Sequence, residues 1–133
     1  MNRSLKTFDN LYFTLGRALL GVYFLLPGVM KVVQYNATLA LMLAKNVPLA
    51  ELLLPITIAL QIILGLLLIF GKAIRLGALL LFGLTILINL YIHNFWTLAG
   101  EPNYAHELQN FIKNLGIAAG LLVLAGRGDK DRD

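Results

Sequence analysis

Cysteine is absent from this 133-residue sequence, and charged residues make up only 14% of it. Without cysteine, the chain alone can form no disulfide, no thiolate metal site and no thiol–disulfide relay. Hydrophobic residues reach 59% and the mean hydropathy is +0.77, which excludes a soluble domain, because one core of this size could not bury so much apolar surface. Lipid must therefore cover most of the chain.

The sequence also lacks the motifs of an autonomous enzyme. We find no nucleophile–base pair, metal-ligand cluster, phosphate-binding loop or cofactor fingerprint in it. A cleavable signal peptide is not predicted either, because Arg17 interrupts the first apolar stretch and no small-residue cleavage site follows. The first apolar stretch is therefore predicted to be a retained membrane helix.

Long apolar runs are what the sequence does contain. No charged residue occurs between Glu51 and Lys72 or between Arg75 and Glu101, and about 20 helical residues suffice to cross a hydrocarbon core of about 30 Å. The predicted fold class is an all-α integral membrane protein, a single domain over 1–133 forming a four-transmembrane-helix bundle. The predicted spans are about 11–33, 51–71, 75–96 and 107–125, with a short interfacial helix at about 37–45.

The positive charges lie near the ends of the apolar runs. Seven of them fall on one side of the membrane if the N-terminus is inside: Arg3, Lys6, Lys72, Arg75, Arg127, Lys130 and Arg132. Only Lys45 and the membrane-edge Lys31 and Lys113 then fall toward the other side. The positive-inside rule predicts N-in, C-in topology. Topology explains the formal charge of +4 better than nucleic-acid binding does.

Polar residues inside membrane spans are costly and are the first candidates for a functional site. One helical stripe, in the third span, comprises Asn89, His93 and Trp96. A second stripe, in the fourth span, comprises His106, Asn110, Lys113 and Asn114. Because a short loop joins these spans, both stripes lie at similar depth and are predicted to line one polar pocket.

Three interpretations of these stripes stay open. The asparagines suit interhelical hydrogen bonding, with Trp96 in the aromatic belt and Lys113 reaching the membrane interface. Alternatively, the pocket binds a quinone or similar amphiphile, with His93 and Lys113 donating to a carbonyl oxygen and Trp96 stacking on the ring. A haem held by His93 and His106 is the third interpretation.

Two further features concern helix packing. Arg17 and Gln61 lie at comparable predicted depths, so the amide could accept from the guanidinium, although Arg17 could instead reach lipid phosphate. Small residues let membrane helices approach closely, and Gly116-x-x-x-Gly120 makes a homo-oligomer a reasonable expectation. Other glycines that could serve close packing are Gly16, Gly21, Gly28 and Gly65.

Several stretches together resemble the DoxX family of small four-helix bacterial inner-membrane proteins. They are residues 16–21 with Gly28 and Lys31, the 71–75 turn, His93-Asn94-Phe95-Trp96, and residues 110–115. The last two are the most specific. The family commonly carries glutamate in the middle of the second span, where this chain has Gln61, and that departure weakens any proposal needing a carboxylate there.

The resemblance implies a four-helix bundle in the inner membrane and a link to redox systems. Relatives include the small membrane subunit of a thiosulfate:quinone oxidoreductase and components linked to oxidative-stress complexes. Membrane thiol oxidoreductases that reduce quinones are similar in architecture, but only their quinone-binding half could apply to a cysteine-free chain. We therefore expect a quinone-facing subunit or accessory with an oxidoreductase partner. The alternative is a non-enzymatic structural or small-solute-handling membrane protein.

Overall fold

The computed structural model describes residues 3–127, with side chains described from Asp9 to Arg127. Lys130 and Arg132, which contribute to the positive-charge count, lie outside the described residues, as do the side chains of Arg3 and Lys6. Within the described part the chain forms five α-helices and one short 3-10 helix, Phe95–Leu98, and no strand. The α-helices are α1 (Arg3–Val33), α2 (Tyr35–Ala44), α3 (Ala50–Phe70), α4 (Ile74–Tyr91) and α5 (Tyr104–Arg127).

Four of the described segments are long and apolar enough to cross a membrane, as the uncharged runs predict. They are Asp9–Val33, Ala50–Phe70, Ile74–Leu98, which includes the 3-10 helix, and Tyr104–Arg127. Many large apolar side chains on all four segments face outward, including Leu19, Ile63, Leu76 and Val123. Outward apolar residues on every helix are typical of a bundle surrounded by lipid. The predicted four-helix membrane fold is confirmed.

The helices associate as two tight pairs, α1 with α3 and α4 with α5, and α3 also packs against α4. A central core of buried Leu, Ile, Ala and Phe residues joins the pairs, including Phe24, Leu68, Leu81 and Leu121. In this core Leu68, Leu81 and Leu121 are completely buried. The two pairs therefore share one apolar centre.

Gly21 and Gly65 set the crossing of α1 and α3. A Cβ added to Gly21 would lie 2.5 Å from the carbonyl oxygen of Gly65, and one added to Gly65 would lie 2.8 Å from that of Gly21. Only glycine permits two backbones to approach this closely. The same pairing places Gly28 of α1 against Gln61 and Ile62 of α3, which fixes the register of the two antiparallel helices.

A tight turn joins α3 to α4. Gly71 ends α3 in the left-handed conformation, with φ +76°, and the following Lys72 N–H donates to the carbonyl of Leu67 at 2.9 Å. Glycine adopts this conformation without steric cost, so α3 ends here. We call this end of the bundle the turn end. The opposite end, with α2 and the 3-10 helix, is the α2 end.

The third span departs from the predicted continuous helix to Trp96. Helix α4 ends at Tyr91, and Phe95–Leu98 forms a separate 3-10 helix. Asn94 leaves the helical conformation, with φ −83° and ψ +67°, and its carbonyl accepts from the N–H of Thr97 at 3.1 Å and from the hydroxyl of Thr97 at 2.9 Å. At the break itself, the N–H of Phe95 donates to the carbonyl of His93 at 2.9 Å, whereas in a continuous α-helix it would donate to the carbonyl of Tyr91. Asn89, His93 and Trp96 therefore do not form one helical stripe.

Candidate functional site

A polar cavity lies between the two helix pairs toward the α2 end. Its volume is about 260 Å³, and side chains from α1, α3, α4, α5 and the segment after α4 line it. The polar residues of the lining are Tyr23, Lys31, Gln61, Thr85, His93, Asn110, Lys113 and Asn114. Four of the seven residues predicted for the pocket thus share one cavity, namely His93, Asn110, Lys113 and Asn114.

One carboxylate, that of Glu107, contacts two residues of the cavity lining. Glu107 Oε1 accepts from Nδ2 of Asn110 at 3.2 Å, and Glu107 Oε2 lies 3.3 Å from Nδ1 of His93. Nζ of Lys45 lies 3.6 Å from the same Oε2 and donates to Oδ1 of Asn94 at 3.4 Å. We call these five residues the carboxylate cluster. It connects the end of α2 with the segment after α4 and the start of α5.

The carboxylate cluster determines what His93 presents to the cavity. An ionised carboxylate only accepts hydrogen bonds, so Nδ1 of His93 must carry the proton that points at Glu107. In the neutral imidazole the other ring nitrogen, Nε2, is then an acceptor. His93 is consequently held in one tautomer by a partner that does not itself line the cavity.

A larger apolar cavity adjoins the polar one. It has a volume of about 840 Å³ and lies among α1, α2, α3 and α4, where mostly aliphatic side chains such as Leu26, Met42 and Leu84 line it. Pro27, Lys31, Ile88 and His93 line both cavities. The two cavities therefore meet at a boundary that carries one ammonium group and one imidazole.

Trp96 and His106 lie outside both cavities. Trp96 packs edge-to-face against Phe95 and Phe111, with ring centroids 5.3 Å and 5.8 Å apart. It is therefore part of an aromatic cluster near the α2 end and is not placed to stack on a ligand in either cavity. His106 is exposed at the start of α5. The structure does not bring the imidazoles of His93 and His106 into one cavity, as a haem held by both would require.

Two of the predicted asparagines join helices directly. Nδ2 of Asn89 donates to the carbonyl of Phe111 at 3.1 Å, across α4 and α5. Oδ1 of Asn114 accepts from the hydroxyl of Tyr23 at 2.8 Å, across α5 and α1. Interhelical hydrogen bonds of this kind each contribute about 1 kcal/mol in membranes. Asn114 also lines the polar cavity, whereas Asn89 does not.

The predicted hydrogen bond between Arg17 and Gln61 does not form. Nε of Arg17 donates to the carbonyl of Leu68 at 2.8 Å, and its guanidinium lies 5.9 Å from the ring centroid of Phe13. The register set by Gly21 and Gly65 places Arg17 beside Leu68, and Gln61 lies about two helical turns from Leu68 along α3. Gln61 lies instead in the polar cavity, 3% exposed, and its Oε1 has no hydrogen-bond partner in the described structure.

Sequence reasoning missed several residues of the site. Tyr23 and Lys31 of α1 were not connected with the polar stripes, and Lys45 and Glu107 were assigned to topology and to the edge of a span. Tyr23 inside an apolar helix was a usable signal, because a buried tyrosine hydroxyl normally needs a partner. The pairing of Lys45 with Glu107 had no local signal.

Comparison with known protein families identifies the family of this chain. The DoxX family model matches residues 12–94, more than half of the chain. The chain belongs to the DoxX family. No curated protein and no solved structure matches it significantly. The matched part of this DoxX protein contributes Tyr23, Lys31, Gln61, Thr85 and His93 to the polar lining of the cavity, and the α5 residues lie beyond it. Together with its four candidate spans, membership establishes a multi-pass membrane protein.

Proposed function

We propose that this DoxX protein binds a quinone or a similar amphiphile and acts as a quinone-facing subunit or accessory of a redox system in the bacterial inner membrane. The observation that carries the proposal is the meeting of the two cavities at Lys31 and His93. An apolar space that shares part of its wall with a small polar one matches a molecule with a long apolar tail and a compact polar head.

The size of the apolar cavity suits the apolar tail of a quinone. Its volume of about 840 Å³ falls in the range of cavities that bind small molecules, about 300–1,000 Å³. Its lining is dominated by Leu, Ile and Met, which match an isoprenoid chain in polarity. Because α2 contributes Thr38, Leu41 and Met42 to one wall, this short helix covers part of the bound tail.

The residues of the polar cavity suit the polar head group of a quinone. The ammonium groups of Lys31 and Lys113 are hydrogen-bond donors for the oxygen of a quinone ring. His93 is oriented by Glu107, with 3.3 Å between Nδ1 and Oε2, so its position does not depend on the ligand. Because the sequence contains no cysteine and no cofactor fingerprint, the proposal includes an oxidoreductase partner.

The first test replaces His93 with alanine. We expect His93→Ala to reduce the total of quinone and quinol that copurifies with the protein by about fivefold, because a hydrogen bond from a ligand hydroxyl to Nε2 of His93 contributes about 1 kcal/mol. The measurement is mass spectrometry of organic extracts from protein purified in mild detergent, with thermal unfolding recorded on the same samples. His106→Ala is the matched control, since His106 is exposed and lines neither cavity.

The same experiment separates the competing function. Wild-type protein with no quinone enrichment over bulk lipid would contradict the proposal. Loss of folding together with loss of quinone in His93→Ala would favour the structural role, in which polar residues join helices as Asn89 and Asn114 do. A quinone retained by His106→Ala but depleted in His93→Ala supports the proposal.

We also infer that the turn end of the bundle faces the cytoplasm and the α2 end faces outward. Lys72, Arg75 and Arg127 lie at the turn end, where the positive-inside rule places basic residues. A cytoplasm-active reporter fused after Asp133 is expected to be active, and a reporter that works only after export is expected to be inactive at that position. Activity of the exported reporter there would reverse the orientation.

A further inference from the structure

The polar cavity carries positive charge without a carboxylate in its lining. Among the described residues, Lys31 and Lys113 line it, and no aspartate or glutamate does. The acidic residue of the carboxylate cluster, Glu107, already interacts with Asn110, His93 and Lys45. Lys31 has neither an ion pair nor a hydrogen bond with any other described residue. A half-buried ammonium group without a partner favours a negatively charged or strongly polar ligand atom nearby.

The cavity also carries a hydrogen-bond acceptor that nothing fills. Gln61 is 3% exposed, and its Oε1 has no partner among the described residues. An unsatisfied buried polar atom is destabilising, so a ligand hydroxyl that donates to this amide would recover part of that cost. The oxygens of an oxidised quinone cannot do so, because they only accept hydrogen bonds.

His93 adds a second acceptor. Its Nδ1 faces Glu107 Oε2 at 3.3 Å, which leaves Nε2 of the neutral ring as a lone-pair acceptor. A cavity with two acceptors and two ammonium groups therefore suits a head group that both donates hydrogen bonds and carries negative charge. Among the oxidation and protonation states of a quinone, the quinol and its monoanion have these properties.

We propose that the site binds the quinol more tightly than the corresponding quinone. This inference rests on the proposed function and specifies which redox form the cavities favour. The hydroxyl of the bound quinol donates to Gln61 or to Nε2 of His93, and Lys31 stabilises partial or full ionisation of the head group. The oxidised ring keeps only its contacts with the lysines and leaves both acceptors unfilled.

The test compares two ligands that differ only in redox state. Affinities of decylubiquinone and of its quinol are measured anaerobically on the full-length protein in detergent. We expect the quinol to bind about tenfold more tightly, which corresponds to about 1.4 kcal/mol, because its hydroxyls donate to acceptors that the quinone leaves unfilled. Equal affinities in the wild type would overturn the inference and leave the proposed function intact. No binding of either ligand would overturn both.

Two variants test which residues cause the preference for quinol over quinone. Gln61→Leu removes the unfilled acceptor at similar volume, so we expect it to remain folded and to lower the ratio of quinol to quinone affinity by about threefold. Lys31→Gln removes the cation and is expected to lower the same ratio. Lys72→Gln, at the turn end and outside both cavities, is the control and should leave the ratio unchanged. An undiminished ratio in both cavity variants would assign the preference elsewhere and contradict the inference.

Discussion

Replacing Gly65 with alanine is expected to lower the free energy of unfolding by about 2–3 kcal/mol, because the added methyl group overpacks the crossing of α1 and α3. Its Cβ would lie 2.8 Å from the carbonyl oxygen of Gly21 and 3.0 Å from the backbone nitrogen of Leu25. Both contacts are with backbone atoms, so no side-chain rotation can relieve them. The measurement is equilibrium unfolding in mixed micelles, followed by circular dichroism.

Gly83→Ala is the matched control for this prediction. Gly83 lies within α4, and a Cβ added there meets no atom within 4 Å. Alanine in an open helical position is expected to stabilise by about 0.5–1 kcal/mol relative to glycine. The two substitutions should therefore shift stability in opposite directions. Equal midpoints for Gly65→Ala and Gly83→Ala would show that α1 and α3 do not cross as described.

The second large effect is expected at Glu107. Glu107→Ala should destabilise the protein by about 2 kcal/mol, because it removes the acceptor of Asn110 and His93 and leaves Lys45 without its ion pair. The side chain of Glu107 is only 12% exposed, so solvent replaces little of this loss. Equilibrium unfolding of the purified variant in mixed micelles measures the change.

Two further variants distinguish the carboxylate cluster from a general charge effect. Glu107→Gln keeps one carbonyl acceptor and should lose about half as much stability as Glu107→Ala. Glu101→Ala removes an exposed carboxylate in the preceding turn, and we expect no measurable change. A Glu107→Ala protein as stable as Glu101→Ala would mean that the cluster contributes nothing to the fold.

The membrane fold was predictable because a single local property determines it. Uninterrupted apolar runs such as the one between Glu51 and Lys72 must be helical in lipid, whatever packs around them. The end of α4 was less predictable. His93 and Trp96 follow an apolar helix at helical spacing. The helix nevertheless ends before them, because Asn94 leaves the helical conformation and the N–H of Phe95 donates to the carbonyl of His93.

The candidate site was predictable only where its residues lie on neighbouring spans. His93, Asn110 and Lys113 were grouped because a short loop brings α4 and α5 to the same depth. The neighbours of Arg17 and Gln61 depend on the register of α1 against α3, which the close contact of Gly21 and Gly65 sets. Depth alone could not supply that register, and so Gln61 was assigned to Arg17 rather than to the polar cavity.

The pairing of the helices has a mechanical consequence. The α1–α3 pair is held by close backbone approach at Gly21 and Gly65, and the α4–α5 pair is joined by the hydrogen bond from Asn89 to the carbonyl of Phe111. Because the polar cavity lies between the pairs, any widening of it requires one pair to move relative to the other. The turn at Gly71 joins the two pairs covalently. The hydrogen bond from Tyr23 to Asn114 also spans both pairs, so separating them at the cavity would break it.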